Sequence, residues 1–134
     1  MIELLVALVI FAFGTLGLAG LQTQALAFSQ GSLYRSQATA LTDDILDRMR
    51  TDRTNAKGGA WNTALNETAA SIASPVTIAR IDIKDWKDQV EALLPAGQAS
   101  IAVNAGVVTV TLQWDDSRGE RQAAVQSFVT QSQI

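Results

Sequence analysis

"IELLVALVIFAFGTLGLAGLQ", Ile2 to Gln22, decides the architecture of this chain. With Met1, 19 of these 22 residues are apolar or glycine, and one carboxylate, Glu3, stands near the start. No other charged residue appears until Arg35. The apolar run, Ile2 to Phe28, makes about 40 Å of helix at ~1.5 Å per residue. A bilayer core of ~30 Å needs only about 20 residues. The spacing therefore predicts a helix able to span a membrane. No Lys or Arg precedes the run, and the run is long, so it does not read as a conventional cleaved signal. Glu3 then needs a reason, because a charge inside hydrocarbon costs a few kcal/mol.

The helix does not stop with the apolar run. No proline occurs before Pro75. Tyr34, Ala38, Leu41, Ile45 and Met49 follow at spacings of four and three, which keeps one apolar stripe on a helix. Asp44 and Arg48 form an acid-before-base i,i+4 pair. Arg48, Arg50 and Arg53 suit the negative pole of the helix dipole, and Gly58-Gly59 supplies a stop. The expectation is one helix over residues 2–54, apolar all round in its first half and amphipathic in its second.

Beyond it, residues 54–81 are polar and small. Trp61, Leu65, Ala69 and Ile72 fit either a short helix or a loop around one buried Trp. A further helix is expected from Asp82, read as its cap, with Ile83, Trp86, Val90 and Leu93 on one face and Pro95 and Gly97 at the end. Its acids and lysines read as a solvated side. The period then changes to two. Ile101 and Val103 alternate with small residues, and Val108, Val110, Leu112 and Trp114 alternate with Thr109, Thr111 and Gln113. Asn104-Ala105-Gly106 reads as a tight hairpin. "DDSRGE" (115–120) reads as the next turn, and 121–130 as a third strand.

The fold class is therefore α+β, a long N-terminal helix packed on a small three-stranded antiparallel sheet. Residues 1–28 form the hydrophobic half of the helix. Residues 29–134 form the globular domain: the second half of the helix (29–54), a variable connection with short helices (55–97) and a β-meander (98–134).

Composition narrows the function. The 134 residues suit one domain. There is no Cys, which removes disulfides and thiolate chemistry, and no His, the commonest general base. The net charge of −3 leaves no basic footprint for nucleic acid. Adjacent acids diverge on a helix or strand, so Asp43-Asp44 and Asp115-Asp116 read as solvated charges rather than catalytic pairs. The turn from Asp115 to Glu120 lacks EF-hand spacing. The Asn66-Glu67-Thr68 sequon carries no assigned role. The three tryptophans sit on apolar faces and read as core. No enzyme activity, catalytic residue, cofactor or metal site is expected. Gly14, Gly17 and Gly20, on neighbouring turns of the apolar helix, suit close helix packing or local loosening.

The opening stretch with Glu3 resembles the N-terminal helix of type IV pilins and type II secretion pseudopilins. "GLAGLQ", "SQATALTDDILDRMRTDR", "DIKDWKDQVEALLP" and "GVVTVTLQWDD" are similar to the PilV subgroup of minor pilins, the pilus modification proteins. The resemblance covers more than half of the chain, scattered over its length. It implies a type IV pilin-like fold and single-pass storage in the bacterial inner membrane. It also implies extraction into an extracellular pilus, with a place at or near the tip. Implied partners are other minor pilins, the major pilin, a large tip adhesin in some systems, and inner-membrane lipid before assembly. In the family the residue that starts the helix is N-methylated after a leader is cut at a Gly/Phe-Thr-Leu-like junction. Here Met1 stands at the place of that Leu. Many pilins also close a C-terminal disulfide loop, which a chain without Cys does not form. The resemblance implies that Glu3 meets a neighbouring subunit's terminal amine in the assembled bundle. Glu3, Gly14, Gly17 and Gly20 are thus the candidate subunit-contact residues. A minor pseudopilin of type II secretion and a membrane-anchored extracellular binding domain are the alternative readings.

Overall fold

The computed structural model describes residues 1–72, 75–117 and 125–134. Its elements are α1 (Ile2–Thr51), α2 (Arg53–Lys57), a 3-10 turn (Ala69–Ser71), α3 (Ile78–Leu93), β1 (Gln98–Asn104), β2 (Val107–Asp115) and β3 (Val125–Gln133). The chain divides into two compact units, Met1–Leu33 and Tyr34–Ile134. It is an α+β protein with a long N-terminal helix and a three-stranded antiparallel sheet.

The first unit is the N-terminal part of α1. This helix is long and apolar enough to cross a membrane. Three of its hydroxyls return to the helix backbone: Thr15 Oγ1 donates to the Ala12 carbonyl at 2.9 Å, Thr23 Oγ1 to the Gly20 carbonyl at 2.8 Å and Ser32 Oγ to the Ser29 carbonyl at 2.7 Å. Internal satisfaction of this kind is what hydrocarbon requires of a polar group.

The second unit has one core. The expected stripe of Ala38, Leu41, Ile45 and Met49 is buried, and Tyr34 packs half-buried against it. Leu46 and Thr42 join it, Thr42 returning its hydroxyl to the Ala38 carbonyl at 2.8 Å. The expected Asp44–Arg48 pair forms at 2.9 Å. The helix does not run unbroken through residue 54. It breaks at Asp52, whose φ of −114° and ψ of 47° leave the helical region. The short α2 then runs to Lys57 and buries Ala56. Gly58 caps α2, and Gly59 takes a φ of +81°, a conformation open to glycine without Cβ strain.

Residues 60–68 form no helix. Trp61 is buried in a loop whose Thr63 pairs with β1: the N–H of each of Thr63 and Ile101 donates to the other's carbonyl at 3.0 Å. Asn62 Oδ1 accepts the Val103 N–H at 2.8 Å. Asn and Thr are poor helix formers that favour such local alternatives, and here the Thr63 backbone and the Asn62 side chain close the outer edge of β1.

The α3 cap also differs from expectation. Thr77, not Asp82, caps α3, its Oγ1 accepting the Arg80 N–H at 3.3 Å. Asp82 lies inside the helix and receives Arg48 Nη1 at 3.3 Å. Ile83, Trp86 and Val90 are buried as expected, but Leu93 is exposed and Leu94 takes its place in the core. One lysine of the supposed solvated side, Lys87, is only 2% exposed.

The strands are a meander in the order β1-β2-β3. Ala105 and Gly106 form the two-residue hairpin turn with φ of 50° and 81°, which matches the twist of the flanking strands. Val108, Val110, Leu112 and Trp114 of β2 face the core, as the alternation predicts, with Ala99 and Ile101 of β1 beside them. β3 begins at Val125 and runs on to Gln133 rather than ending at 130. Its expected start at 121–124, and part of the expected 115–120 turn, lie outside the described residues. Its inner face is half-polar: Phe128 packs against the core between Gln126 and Thr130.

Candidate functional site: the N-terminal helix surface

Two sets of residues stand out chemically, and they differ in kind. The first is the surface of α1 in the Met1–Leu33 unit. Its large apolar side chains are open on every face; Phe11, Phe13 and Leu16 are each about 70% exposed. Burying one such side chain stabilises by roughly 1.5–3 kcal/mol, so this surface needs lipid or other apolar helices. Glu3 lies in the first turn of α1, where the helix dipole favours an anion. Gly14, Gly17 and Gly20 have nothing within 4 Å of where a Cβ would stand. Each step of three residues turns the helix by about −60°. The three glycines therefore share an arc of about 120° over two turns rather than a single line. At each of these three positions the backbone itself is open to a neighbour, between exposed side chains such as Phe13 and Leu21. Glu3 lies more than two turns before Gly14, so the structure does not bring the acid and the glycines into one pocket. They are places along one surface.

The second set surrounds Lys87. Three backbone carbonyls receive its ammonium: Ala64 at 2.8 Å, the buried Ala99 at 2.8 Å, and Glu67. An ammonium carries three donors, and all three are used. Burial pushes the Lys87 pKa down, and the Glu67 and Glu91 carboxylates oppose that shift. Beside it, the Glu67 carboxylate receives Arg80 and the Thr63 hydroxyl, the latter at 2.6 Å. These two bonds lower the Glu67 pKa to about 2. Glu91 Oε1 accepts the Ala69 N–H at 2.9 Å. Shifted titrating groups often mark functional sites, and structural networks shift them too. Here Lys87 and Glu91 are spent on backbone, and Glu67 on Arg80 and Thr63: the network pins the 61–72 loop to α3 and β1.

Sequence reading missed Lys87. The signal was present, because Lys87 stands four residues after Ile83 and three before Val90, on the buried stripe itself.

The remaining candidates do not converge. Asp43 is exposed, while Asp44 is engaged by Arg48. Asp115 Oδ1 accepts the Ser117 N–H at 2.7 Å. Among the described residues no three metal-ligating side chains gather. A surface depression of about 450 Å³ lies between α2 and the start of α3, lined by Thr51, Asp52, Asn55, Thr77 and Ile78. Its polar groups bond each other, Asn55 Nδ2 donating to Asp52 Oδ1 at 2.7 Å. Trp61, Trp86 and Trp114 are all buried and offer no stacking platform. Comparison with known proteins finds no matching family model, no matching curated protein and no matching solved structure.

Proposed function

We propose that this chain is a minor pilin of the PilV type, with a pilin-like fold. It is a structural subunit that primes type IV pilus assembly and sits at or near the pilus tip. The observation that carries the reading is the bare surface of α1: apolar on all sides, with one carboxylate in its first turn. An anchor needs only lipid. A filament subunit also needs a feature that fixes its axial position among identical apolar surfaces, and a paired acid does this. In the membrane Glu3 lies near the lipid–water boundary. In the filament it pairs with the terminal amine of a neighbouring subunit. A buried charge is tolerated when paired, and removing one partner is costly. Gly14, Gly17 and Gly20 let the neighbouring helix approach, and the packing gains by van der Waals fit because lipid is already as apolar as Leu. The subunit is held in the bacterial inner membrane before extraction. Its partners are the other minor pilins, the major pilin and a tip adhesin.

Glu3→Ala in a piliated bacterium tests this. Membrane fractionation of the subunit should be unchanged. Surface pili and recovery of the other minor pilins with it should fall. Unchanged piliation and partner recovery would overturn the register role of Glu3.

A further inference from the structure

We propose that Gln24 is a second contact fixing the register of α1, its amide hydrogen-bonding across to the apolar helix of a neighbouring minor pilin. The proposal deepens the reading of α1 as an assembly surface and rests on it.

Polar side chains late in the apolar run behave in two ways. The Thr15, Thr23 and Ser32 hydroxyls return to carbonyls of their own helix. Gln22 and Gln24 do not: both are exposed, and neither amide has a hydrogen bond among the described residues. An amide brings two donors and an acceptor, and taking it out of water unpaired costs free energy. Wherever Gln24 is dry, it needs a partner outside its own helix.

The height of Gln24 says when that happens. It follows Glu3 by 21 residues, about 32 Å of helix at ~1.5 Å per residue. The hydrocarbon of a bilayer is ~30 Å thick. With Glu3 at one boundary, Gln24 stands at the other, where interfacial water serves its amide. In a bundle of helices that water gives way to the neighbouring helix, and the neighbour has to supply the bond.

The direction of Gln24 says which neighbour. At about 100° per residue, seven residues turn a helix by about −20° and fourteen by about −40°. Gly17 follows Glu3 by fourteen residues, and Gln24 follows Gly17 by seven. Acid, glycine and amide therefore lie on one face, within about 60° of each other. Multiples of seven are also the spacing at which one seam follows a partner helix. Gln22 is turned about 160° from Gln24, onto the far side. The helix that meets Glu3 and lies along Gly17 thus reaches Gln24 and not Gln22. The occupant is the apolar N-terminal helix of another pilin, the one that pairs with Glu3, offering a polar group at that level.

The full chain in a piliated bacterium tests this, with Glu3→Ala beside each variant. Gln24→Leu is more apolar, so membrane fractionation should not change. Recovery of the other minor pilins with it should fall about threefold, the average strength of a hydrogen bond between membrane helices. Gln22→Leu should match wild type. Gln24→Asn, which keeps an amide, should recover more partner than Gln24→Thr, whose hydroxyl should turn back on its own helix as that of Thr23 does. Wild-type recovery with Gln24→Leu, while Glu3→Ala loses partners, would overturn the Gln24 contact and leave the reading of α1 standing. Wild-type recovery with both would overturn both. An equal loss with Gln22→Leu would overturn the contact too, because the loss would then follow polarity at the boundary rather than one face. So would Gln24→Asn recovering no more than Gln24→Thr.

Discussion

The indole Nε1 of Trp86 donates a 2.8 Å hydrogen bond to the carbonyl of Leu41, joining α3 to α1 across the core of the globular unit. Both residues are buried. Leu41 lies within the helical ladder, so its carbonyl serves a second donor with its second lone pair. The bond fixes where along α1 the shorter helix rests.

Trp86→Phe should therefore cost more than Trp114→Phe. Trp114 is also buried, but its Nε1 has no partner among the described residues. The two substitutions remove the same atoms; the difference contains the bond, about 0.5–1.5 kcal/mol, plus the relief of an unbonded N–H at Trp114. The measurement is urea unfolding of residues 34–134. Among the described residues every buried core side chain lies at or after Ala38, so this fragment should be soluble and folded. Equal losses would show that the Leu41 contact adds no net stability.

Lys87→Met keeps the length and apolar stem of the side chain but takes the ammonium from three carbonyls, of which Ala64 keeps the Glu67 N–H. The expected loss is roughly 2–4 kcal/mol. Lys87→Arg should not rescue it, because a planar fork does not match three converging carbonyls. A loss under about 1 kcal/mol for Met would mean that water enters and replaces the ammonium.

Acid should weaken the fold partly through Glu67. Arg80 and then Thr63 hold its folded pKa near 2, below the ordinary 4.5. A depressed carboxylate contributes stability that is complete above its unfolded pKa and is lost as pH falls toward its folded one. The thermal midpoint should therefore fall between pH 4.5 and pH 2. Glu67→Gln should start lower at pH 7 and fall less steeply through that window. Parallel curves for the two proteins would exclude Glu67 as a contributor.

Glycines should separate by location. A Cβ at Gly97 would stand 2.5 Å from the Val90 carbonyl and 3.0 Å from Leu94. Gly97→Ala should thus cost about 1–3 kcal/mol, as overpacking does. Gly17→Ala meets nothing within 4 Å and should leave the globular unit unchanged. Gly17→Leu, more apolar still, should keep membrane retention yet reduce surface pili. Normal pilus number and partner recovery with Gly17→Leu would remove this arc as an assembly surface.

Much of this was legible in the residues themselves. The apolar run, the Tyr34-to-Met49 stripe and the strict alternation of Val108, Val110, Leu112 and Trp114 each repeat with the period of the element they form. A period is a local property, so the chain carries it openly. The candidate contact residues on α1 were legible for the same reason: an acid and three glycines are conspicuous in an apolar run.

Other features depended on where distant segments came to rest. Asp82 reads as a cap until Arg48, 34 residues earlier, is found beside it. Trp61 to Ile72 has helical spacing, but Thr63 gains two strand bonds with Ile101 that a helix would forbid. Lys87 reads as solvated because lysine usually is. Its ammonium is held because Ala64 and Glu67, in one loop, and Ala99, more than thirty residues on, turn three carbonyls to one point. The sequence alone determined which faces are apolar and with what period, since that follows from side chains a few residues apart. Only the tertiary structure decided which backbone groups lie left over where those faces meet, and therefore where a charge has to be buried to satisfy them.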